Sequence, residues 1–255
     1  MTQLTLLGDQ LRSHRKRLGM SQLALASVAD STSRYISFIE TGRSRPGKAV
    51  LLKIAKALTL TLRDTNALLL SAGLPSIYVE PALDDEQMAP VKRLVKQVLE
   101  KHEPFPAWVI APGLNFIDSN AAAEKIFPGI VNQAPEHMIH IWCSRETHLT
   151  EETRVETVFQ LLDGLRSEAF HYPHPRLPGL ISIAEQYAKG LSRPNDVNVD
   201  SPVLCPKLLI GDKEVNTLST VMRFDKGTNI TMAEIRIELV FPADDESEAV
   251  FRNMP

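Results

Sequence analysis

Apolar residues recur at helical spacing through the first 73 positions and fall into five short groups. Leu7, Leu11 and Leu18 share one face of a first helix, which Gly19 ends. By the same spacing, with Ser, Thr and Gly at the boundaries, the other four helices are predicted over residues 22–29, 32–41, 50–58 and 62–72. No strand pattern interrupts these groups. Residues 1–73 are therefore predicted to form an all-α five-helix bundle.

Three prolines, Pro75, Pro81 and Pro90, follow this bundle within a short distance. Proline has no backbone N–H and restricts the residue before it, so the segment cannot continue as one helix and favours an extended connector. We expect a proline-rich linker over residues 74–89 and a second domain over residues 90–255.

The second domain mixes helical spacing with strict alternation of apolar and polar residues. Helices are predicted over residues 87–102, 120–127, 151–168 and 180–191, and strands over 107–111, 115–118, 203–210, 214–224 and 229–241. The last three strands are separated by short turns, which predicts an antiparallel meander. The fold class is therefore α+β with two domains, the second built on an antiparallel sheet.

Composition and targeting signals limit the class of protein. The 255 residues are 44% hydrophobic and 23% charged, which excludes wholesale disorder. The chain contains no apolar run of about 18 residues, and its N-terminal charges follow a short apolar run, the reverse of a signal peptide. The two cysteines, Cys143 and Cys205, are too few for a disulfide framework. We expect a cytoplasmic protein with reduced thiols and no membrane partner.

The net charge of −3 conceals a division between the two parts of the chain. Residues 1–74 contain 11 Lys/Arg and four Asp/Glu, a net charge of +7, whereas the remainder contains 17 basic and 27 acidic residues, a net charge of −10. A basic domain on an acidic chain is typical of a module that binds a polyanion while its neighbour does not.

The segment 21–46 carries the most specific motif, a short helix, a tight turn at Asp30 and a second helix capped by Thr32. This is the helix-turn-helix arrangement, in which the second helix enters the major groove of DNA. The stretches LGDQLRSHRKRLGMSQLALA and YISFIETGRSRP resemble the XRE/Cro family of bacterial DNA-binding domains. Glu40 would brace the recognition helix within the domain. The resemblance implies that a double-stranded DNA operator is contacted by Gln22, Ser33, Arg34, Ser37, Phe38, Arg43, Arg45 and Lys48.

The motif also departs from the family pattern. Leu23 and Ala24 replace the usual charged pair, Asp30 replaces the turn glycine, and Ser31 replaces a small apolar residue. An all-helical interaction module with a solvated basic face is the alternative interpretation of residues 1–73.

The stretches HEPFPAWVIAPGLNFIDSNAAAEKIF and STVMRFDKGTNITMAEIRIELVFPADDESEA resemble the MmyB-like ligand-binding domain, a PAS-like sensor. Where that family often has Asp-Arg and a Trp, this chain has the sequence Ala111-Pro112-Gly113-Leu114. The resemblance implies an apolar cavity that holds a small apolar ligand, such as a fatty acid or an aromatic molecule. By position, the cavity would be lined by Trp108, Phe116, Asn120, Phe127, Met222 and Phe224. Ordinary core packing of these aromatics is the alternative.

Strand alternation supports a cavity wall near the end of the chain. Leu218, Met222 and Phe224 alternate with Val221 and Arg223, and we expect the Leu, Met and Phe side chains to face the cavity. Arg223 is then expected to be solvated or paired, and a role in holding an acyl carboxylate is the lesser alternative.

Two other kinds of chemistry are alternatives to ligand sensing. His137, His140 and Cys143 are spaced three apart and could converge on a metal on one helical face, with His148 nearby. The spacing matches no ordered ligand set, and partly buried polar histidines are the preferred interpretation. No Gly-rich phosphate loop, G-x-S-x-G or H-E-x-x-H occurs, so neither an enzyme, a metal site nor a cofactor is predicted.

The sequence thus predicts a transcription regulator whose second domain binds a small ligand and modulates operator affinity. A second domain that serves only for dimerisation and partner binding is the alternative. Because helix-turn-helix proteins act on two-fold sites, we expect a homodimer.

Overall fold

The computed structural model describes residues 3–145, 151–171, 174–194, 207–224 and 227–254. The chain divides into two compact units. The first comprises Met1–Ala82 with Gly227–Ala233, and the second comprises Leu83–Lys226 with Glu234–Pro255. The first unit is therefore larger than residues 1–73, because it includes most of the expected linker and a segment from late in the chain.

Five helices form the core of the first unit. They are α1 (Gln3–Arg17), α2 (Gln22–Val28), α3 (Ser33–Glu40), α4 (Lys48–Ala57) and α5 (Leu62–Ser71). Their apolar faces meet in one buried cluster that includes Leu7, Leu25, Ile36, Ile54 and Leu69. The α+β two-domain fold class is confirmed, with an all-helical region at the N-terminus.

Local signals set the boundaries of α2 and α3. The hydroxyl of Ser21 accepts from the Ala24 N–H at 3.0 Å, and that of Thr32 accepts from the Tyr35 N–H at 3.2 Å. Between the two helices, Asp30 has φ 50, a left-handed conformation that Asp tolerates better than most residues. These short-range features fix the tight turn that the sequence predicted.

Hydrogen bonds and an ion pair hold the segment after α5 against the first unit. The Asn66 side-chain oxygen accepts from the N–H groups of Ile77 and Tyr78, and its amide donates to the Tyr78 carbonyl at 2.7 Å. Arg63 pairs with Glu80. The proline-rich segment is therefore part of the first unit as far as residue 82, rather than a free connector.

The second unit contains a four-stranded antiparallel sheet in the order β2-β1-β6-β5. Its helices and strands are α6 (Ala89–Lys101), β1 (Ala107–Ala111), β2 (Asn115–Ser119), α7 (Ala121–Ile126), α8 (Pro135–Cys143), α9 (Glu151–His171), α10 (Leu177–Ala188), β3 (Leu208–Ile210), β4 (Lys213–Val215), β5 (Thr217–Arg223), β6 (Arg236–Pro242) and α12 (Asp245–Arg252). The short helix α11 (Ile230–Glu234) leads into β6.

The expected three-stranded meander is wrong in one respect. The predicted strand 214–224 is interrupted at Asn216, whose N–H donates to the Ser247 hydroxyl and whose amide donates to Asp244. As a result β3 and β4 form a separate two-stranded hairpin, and only the β5 part of this predicted strand joins the main sheet. The predicted strand 229–241 begins as helix α11 and continues as β6, which also lies in the main sheet. Residues 203–206 of the first predicted strand lie outside the described residues.

The two faces of the main sheet have different neighbours. On one face, Val109 and Ile237 pack with Val95 and Leu99 of α6. On the other, Trp108, Ile110 and Val240 belong to a larger cluster with side chains from α8, α9 and α10. This second face positions the candidate ligand site.

Candidate functional site

Helix α3 presents a polar surface outside the helical core. Ile36, Ile39 and Glu40 are buried, whereas Arg34 is exposed. The guanidinium of Arg34 lies over the Phe38 ring, 5.3 Å from its centroid. Of the eight predicted DNA contacts, Arg34 is exposed on α3, and Ser33, Ser37 and Phe38 on the same helix are half-buried.

Glu40 anchors α3 to α1 and α2. Its carboxylate accepts from Arg15 Nε at 2.6 Å, from Arg15 Nη2 at 2.9 Å and from Gln22 Nε2 at 2.9 Å. Burial alone would raise the pKa of Glu40, but the hydrogen bonds from Arg15 and Gln22 and the charges of Arg15 and Arg12 outweigh it and hold the pKa below its usual value. The orientation of the recognition helix thus depends on an ionised, buried carboxylate.

Gly8 is a positioning residue that sequence reasoning missed. A Cβ built on Gly8 would lie 2.5 Å from the Glu40 carbonyl oxygen, so no larger residue fits between α1 and α3 without a shift. The same carbonyl accepts from Arg12 Nη2 at 2.7 Å. The signal was a single glycine inside a helical pattern, which often marks a close backbone approach.

The remaining predicted DNA contacts differ in their surroundings. Arg43 and Lys48 are exposed after α3 and at the start of α4. Gln22 Nε2 donates a hydrogen bond to the Glu40 carboxylate, and Arg45 Nε donates to the Ala72 carbonyl at 3.1 Å. Arg43 and Lys48 are exposed cations, whereas Gln22 and Arg45 also contribute to the fold.

The second unit contains a cavity of about 840 Å³ between the sheet and its helices. Its apolar lining residues are Trp108, Ile110, Leu114, Phe116, Ile126, Phe127, Ile141, Trp142, Leu161, Leu165, Leu208, Leu209 and Val221. Its polar and charged lining residues are His137, His140, Ser144, Thr157, Gln160, Ser167, Glu168, Lys207, Arg223, Arg236 and Glu238, and Gly164 also lines it. Pockets for small organic ligands are typically about 300 to 1,000 Å³, so this one has the size of a ligand site.

Four aromatic rings form one wall of the cavity. Trp108 lies edge-on to Phe116 and Phe127 at centroid distances of 6.2 and 6.1 Å, and Trp142 contacts the same two phenylalanines at 5.9 and 6.2 Å. The structure thus brings Trp108, Phe116 and Phe127 together at the cavity. Trp142 was missed because it lies in the His-rich segment, which was considered only for metal binding.

Asn120 has a structural position instead. Its side-chain oxygen accepts from the N–H groups of Ala107 and Ala123, each at 3.0 Å, and its amide donates to the Phe105 carbonyl at 2.8 Å. It caps α7 and ties that helix to β1. Its hydrogen-bonding groups are committed to the backbone, and Asn120 is not among the lining residues.

Met222 and Phe224 lie on the other side of the sheet from the cavity. Met222 pairs with Ile237 of β6, and both Met222 and Phe224 pack against the cluster on the α6 side. Val221 and Arg223 line the cavity instead. The prediction for this strand is therefore wrong about which face lines the cavity. Alternation separates the two faces of a strand but does not show which face is turned toward the cavity.

Charged side chains also line the cavity. Arg236 Nη2 lies 2.7 Å from Glu168 Oε2, and Glu168 Oε1 accepts from the Gly113 N–H at 3.3 Å. Trp108 Nε1 donates to Glu238 at 3.1 Å. Burial raises the pKa of Glu238, although the hydrogen bond from Trp108 and the charge of Arg236 act in the opposite direction. The cavity therefore combines an aromatic wall with paired and hydrogen-bonded charged side chains.

The histidine-rich segment forms helix α8 without a cluster of metal ligands. His140 Nδ1 lies 2.6 Å from the Tyr187 hydroxyl, and Cys143 is buried with its pKa raised by burial to about 12. Within the described ranges, no three His, Cys, Asp or Glu side chains are placed to hold a metal ion. His148 lies outside the described residues.

Both units match the models of known protein families, a helix-turn-helix family for the first and a transcription regulator ligand-binding family for the second. The Helix-turn-helix family model matches residues 11–64, and the model described as MmyB-like transcription regulator ligand binding domain matches residues 91–254. Because the second match covers more than half of the chain, the chain belongs to that MmyB-like family. A comparison with curated proteins gives no match. In the described part of the chain, no helix is long and apolar enough to cross a membrane.

Proposed function

We propose that the protein binds a specific DNA operator as a homodimer and that a small apolar ligand in the second unit changes its affinity for that operator. The observation that carries the ligand part is the 840 Å³ cavity with four aromatic rings on one wall. A partly open pocket of this size, with a largely aromatic wall, has the dimensions of a site for a small organic molecule.

The chemistry of the lining favours a fatty-acid-like molecule with an anionic head group. Three cationic side chains, Lys207, Arg223 and Arg236, line the cavity together with the carboxylates Glu168 and Glu238. Arg236 is paired with Glu168 and Lys207 with Glu214, so a ligand carboxylate would bind as an additional acceptor for these cations. Burial raises the pKa of Glu238, which disfavours a second negative charge beside it. The aromatic wall would then accept the apolar body of the ligand.

For the operator, we propose that Ser33, Arg34, Ser37 and Phe38 meet the bases or the adjacent backbone. Arg34 is the side chain of this surface that can donate two hydrogen bonds to a guanine. Arg43 and Lys48 are proposed to bind phosphates, which adds affinity without sequence preference. Gln22 and Arg45 would add backbone contacts in addition to their bonds within the domain.

The connection between β5 and β6 supports coupling between ligand and operator. Both strands line the cavity, through Val221 and Glu238 among others. Yet residues 227–233, which join these strands, belong to the first unit, where the Ile230 N–H donates to the Val79 carbonyl at 2.9 Å. The Thr231 hydroxyl also donates to the Pro81 carbonyl at 2.6 Å. A ligand that displaces β5 and β6 would therefore also displace residues 227–233, which are hydrogen-bonded within the DNA-binding unit.

A dimerisation module without a ligand is the second candidate function for the second unit. It is favoured by the edge strand β5, where Leu218 is 37% exposed and lies opposite Phe241, which is 38% exposed. Exposed apolar pairs on an edge strand are typical of a surface that is covered by a partner.

Mass spectrometry of the purified full chain after gentle denaturation separates these candidates. We expect a stoichiometric apolar molecule to be released. A preparation that contains no such molecule, and that binds neither dodecanoate nor decylbenzoate in equilibrium dialysis, would exclude the ligand-sensing function and favour the dimerisation module.

A further inference from the structure

The cavity face of the main sheet carries two rows of side chains that run across the strands. In the first row, Arg223 of β5 lies opposite Arg236 of β6. The row continues with Ile110 of β1 and Phe116 of β2, and all four residues line the cavity. Since neighbouring strands are about 4.8 Å apart, the row is about 14 Å long. It changes from two guanidinium groups at one end to apolar side chains at the other.

The two arginines lie at the point where both strands end. Arg223 is the last residue of β5 and Arg236 is the first residue of β6. Like charges directly opposite each other on antiparallel strands are destabilising, and the Glu168 carboxylate, 2.7 Å from Arg236 Nη2, offsets part of this repulsion. A guanidinium has five N–H donors in a planar fork, so Arg236 can hold Glu168 and a second carboxylate at the same time. An anion between the two arginines would lower their repulsion further.

The second row disfavours an anion elsewhere on this face of the sheet. Val221, Glu238 and Trp108 are paired across β5, β6 and β1, and they also line the cavity. Burial raises the pKa of Glu238, so a further negative charge beside it is unfavourable. Two residues along a strand span about 7 Å, which separates a carboxylate at the arginine row from Glu238. The third cation of the lining, Lys207, precedes β3 and pairs with Glu214.

We propose that Arg223 and Arg236 form a head-group site that holds the carboxylate of the ligand between them, and that the apolar body of the ligand crosses the sheet over Ile110 and Phe116. The proposal rests on the function proposed above and gives the ligand one orientation in the cavity. The body ends at the aromatic wall, whereas the head group lies at the strand ends that lead into residues 227–233. An uncharged molecule of the same shape would fill the apolar part of the cavity and leave the arginine pair without its anion.

Decanoate and decanol, which differ in a carboxylate against a hydroxymethyl group, test the head-group site. Both are titrated calorimetrically into the full chain at neutral pH. We expect the wild-type protein to bind decanoate roughly tenfold more tightly, because only the carboxylate is held by charge-assisted hydrogen bonds. Arg223→Gln keeps the ion pair of Arg236 with Glu168 and should lose most of this preference through weaker binding of decanoate. Arg223→Lys should retain part of the preference, because it retains the charge.

A control variant separates the site from a general effect of charge. Arg93→Gln, at an exposed arginine on α6 that does not line the cavity, should keep the wild-type preference, and circular dichroism reports whether each variant is folded. An undiminished preference in Arg223→Gln would overturn the head-group site. Equal binding of decanoate and decanol to the wild type would also overturn it while leaving the proposed apolar ligand intact. If neither probe binds, the proposed function fails together with this inference.

The orientation of the ligand is tested with the two tryptophans of the chain, Trp108 and Trp142, which both belong to the aromatic wall. Bromine quenches tryptophan fluorescence only at short range, so its position on the ligand reports which part of the ligand meets this wall. At saturation of the wild-type protein, we expect ω-bromodecanoate to quench more strongly than α-bromodecanoate, which carries the bromine beside the carboxylate. Equal quenching by the two probes, or stronger quenching by α-bromodecanoate, would overturn the proposed orientation.

Discussion

Gly164 offers a direct test of whether the cavity is a ligand site. It lies inside helix α9 and lines the cavity, and a Cβ built on it meets no heavy atom within 4 Å among the described residues. Glycine inside a helix is less stable than alanine by about 0.5 to 1 kcal/mol. Gly164→Ala should therefore raise the melting temperature by about 1 to 4 °C, whereas Gly164→Trp should place its indole in the cavity.

Loss of ligand binding in Gly164→Trp should remove the stabilisation that a bound ligand gives to the wild-type protein. A ligand present at 100 times its dissociation constant stabilises a protein by about 2.7 kcal/mol. For a domain of this size that corresponds to a rise of about 5 to 11 °C in melting temperature. In differential scanning calorimetry with dodecanoate, wild type and Gly164→Ala should show this rise, and Gly164→Trp should show none.

Gly179 provides a matched control. It is also a helical glycine with nothing within 4 Å of a built Cβ, but it lies in α10 and is not among the cavity-lining residues. Gly179→Trp should therefore keep the ligand-dependent rise. A Gly164→Trp protein that keeps the full rise, or a Gly164→Ala protein that melts several degrees lower than wild type, would refute the open cavity wall at this position.

Three further predictions concern the DNA-binding unit. Arg34→Ala should weaken operator binding by about 1 to 3 kcal/mol and relax the preference at one base, whereas Lys48→Ala should weaken all duplexes alike and reduce the salt dependence, as measured by fluorescence anisotropy. The lowered pKa of Glu40 means that its contribution to stability is complete above its unfolded-state pKa of about 4.3 and is lost as the pH falls through the lower folded-state value. Urea unfolding of Glu40→Gln should lack this part of the acid dependence. Gly8→Ala should destabilise the unit by about 1 to 3 kcal/mol because its methyl group meets the Glu40 carbonyl, and an unchanged urea midpoint would contradict this.

Local sequence signals were sufficient for the helix-turn-helix segment of the first unit, but not for its full extent. The caps Ser21 and Thr32 and the left-handed Asp30 act over only a few residues, so the helices and the turn between them can be predicted without knowledge of the rest of the chain. The bonds of Glu40 to Arg15 and Gln22 join residues 25 and 18 positions apart, respectively. Of these contacts, only the bracing role of Glu40 could be inferred, and it came from the resemblance.

The second unit was less predictable because long-range packing decides its details. Alternation in β5 could not say whether Met222 or Val221 faces the cavity, since that depends on the register with β6 and on the side of the sheet that α6 covers. Likewise, no helix was predicted after residue 241. In the structure, Asp244 caps helix α12 by accepting from the Ser247 N–H at 2.7 Å.

Reciprocal titration of ligand and operator tests the central claim most directly. If the ligand changes operator affinity, the operator must change ligand affinity by the same factor, and couplings of this kind are typically about 5- to 150-fold. Using the full chain, we expect the ligand released on denaturation to shift the dissociation constant of the operator. The operator at saturation should shift that of the ligand equally. Two dissociation constants that stay unchanged in both directions would contradict the coupling and leave a DNA-binding protein with an uncoupled second domain.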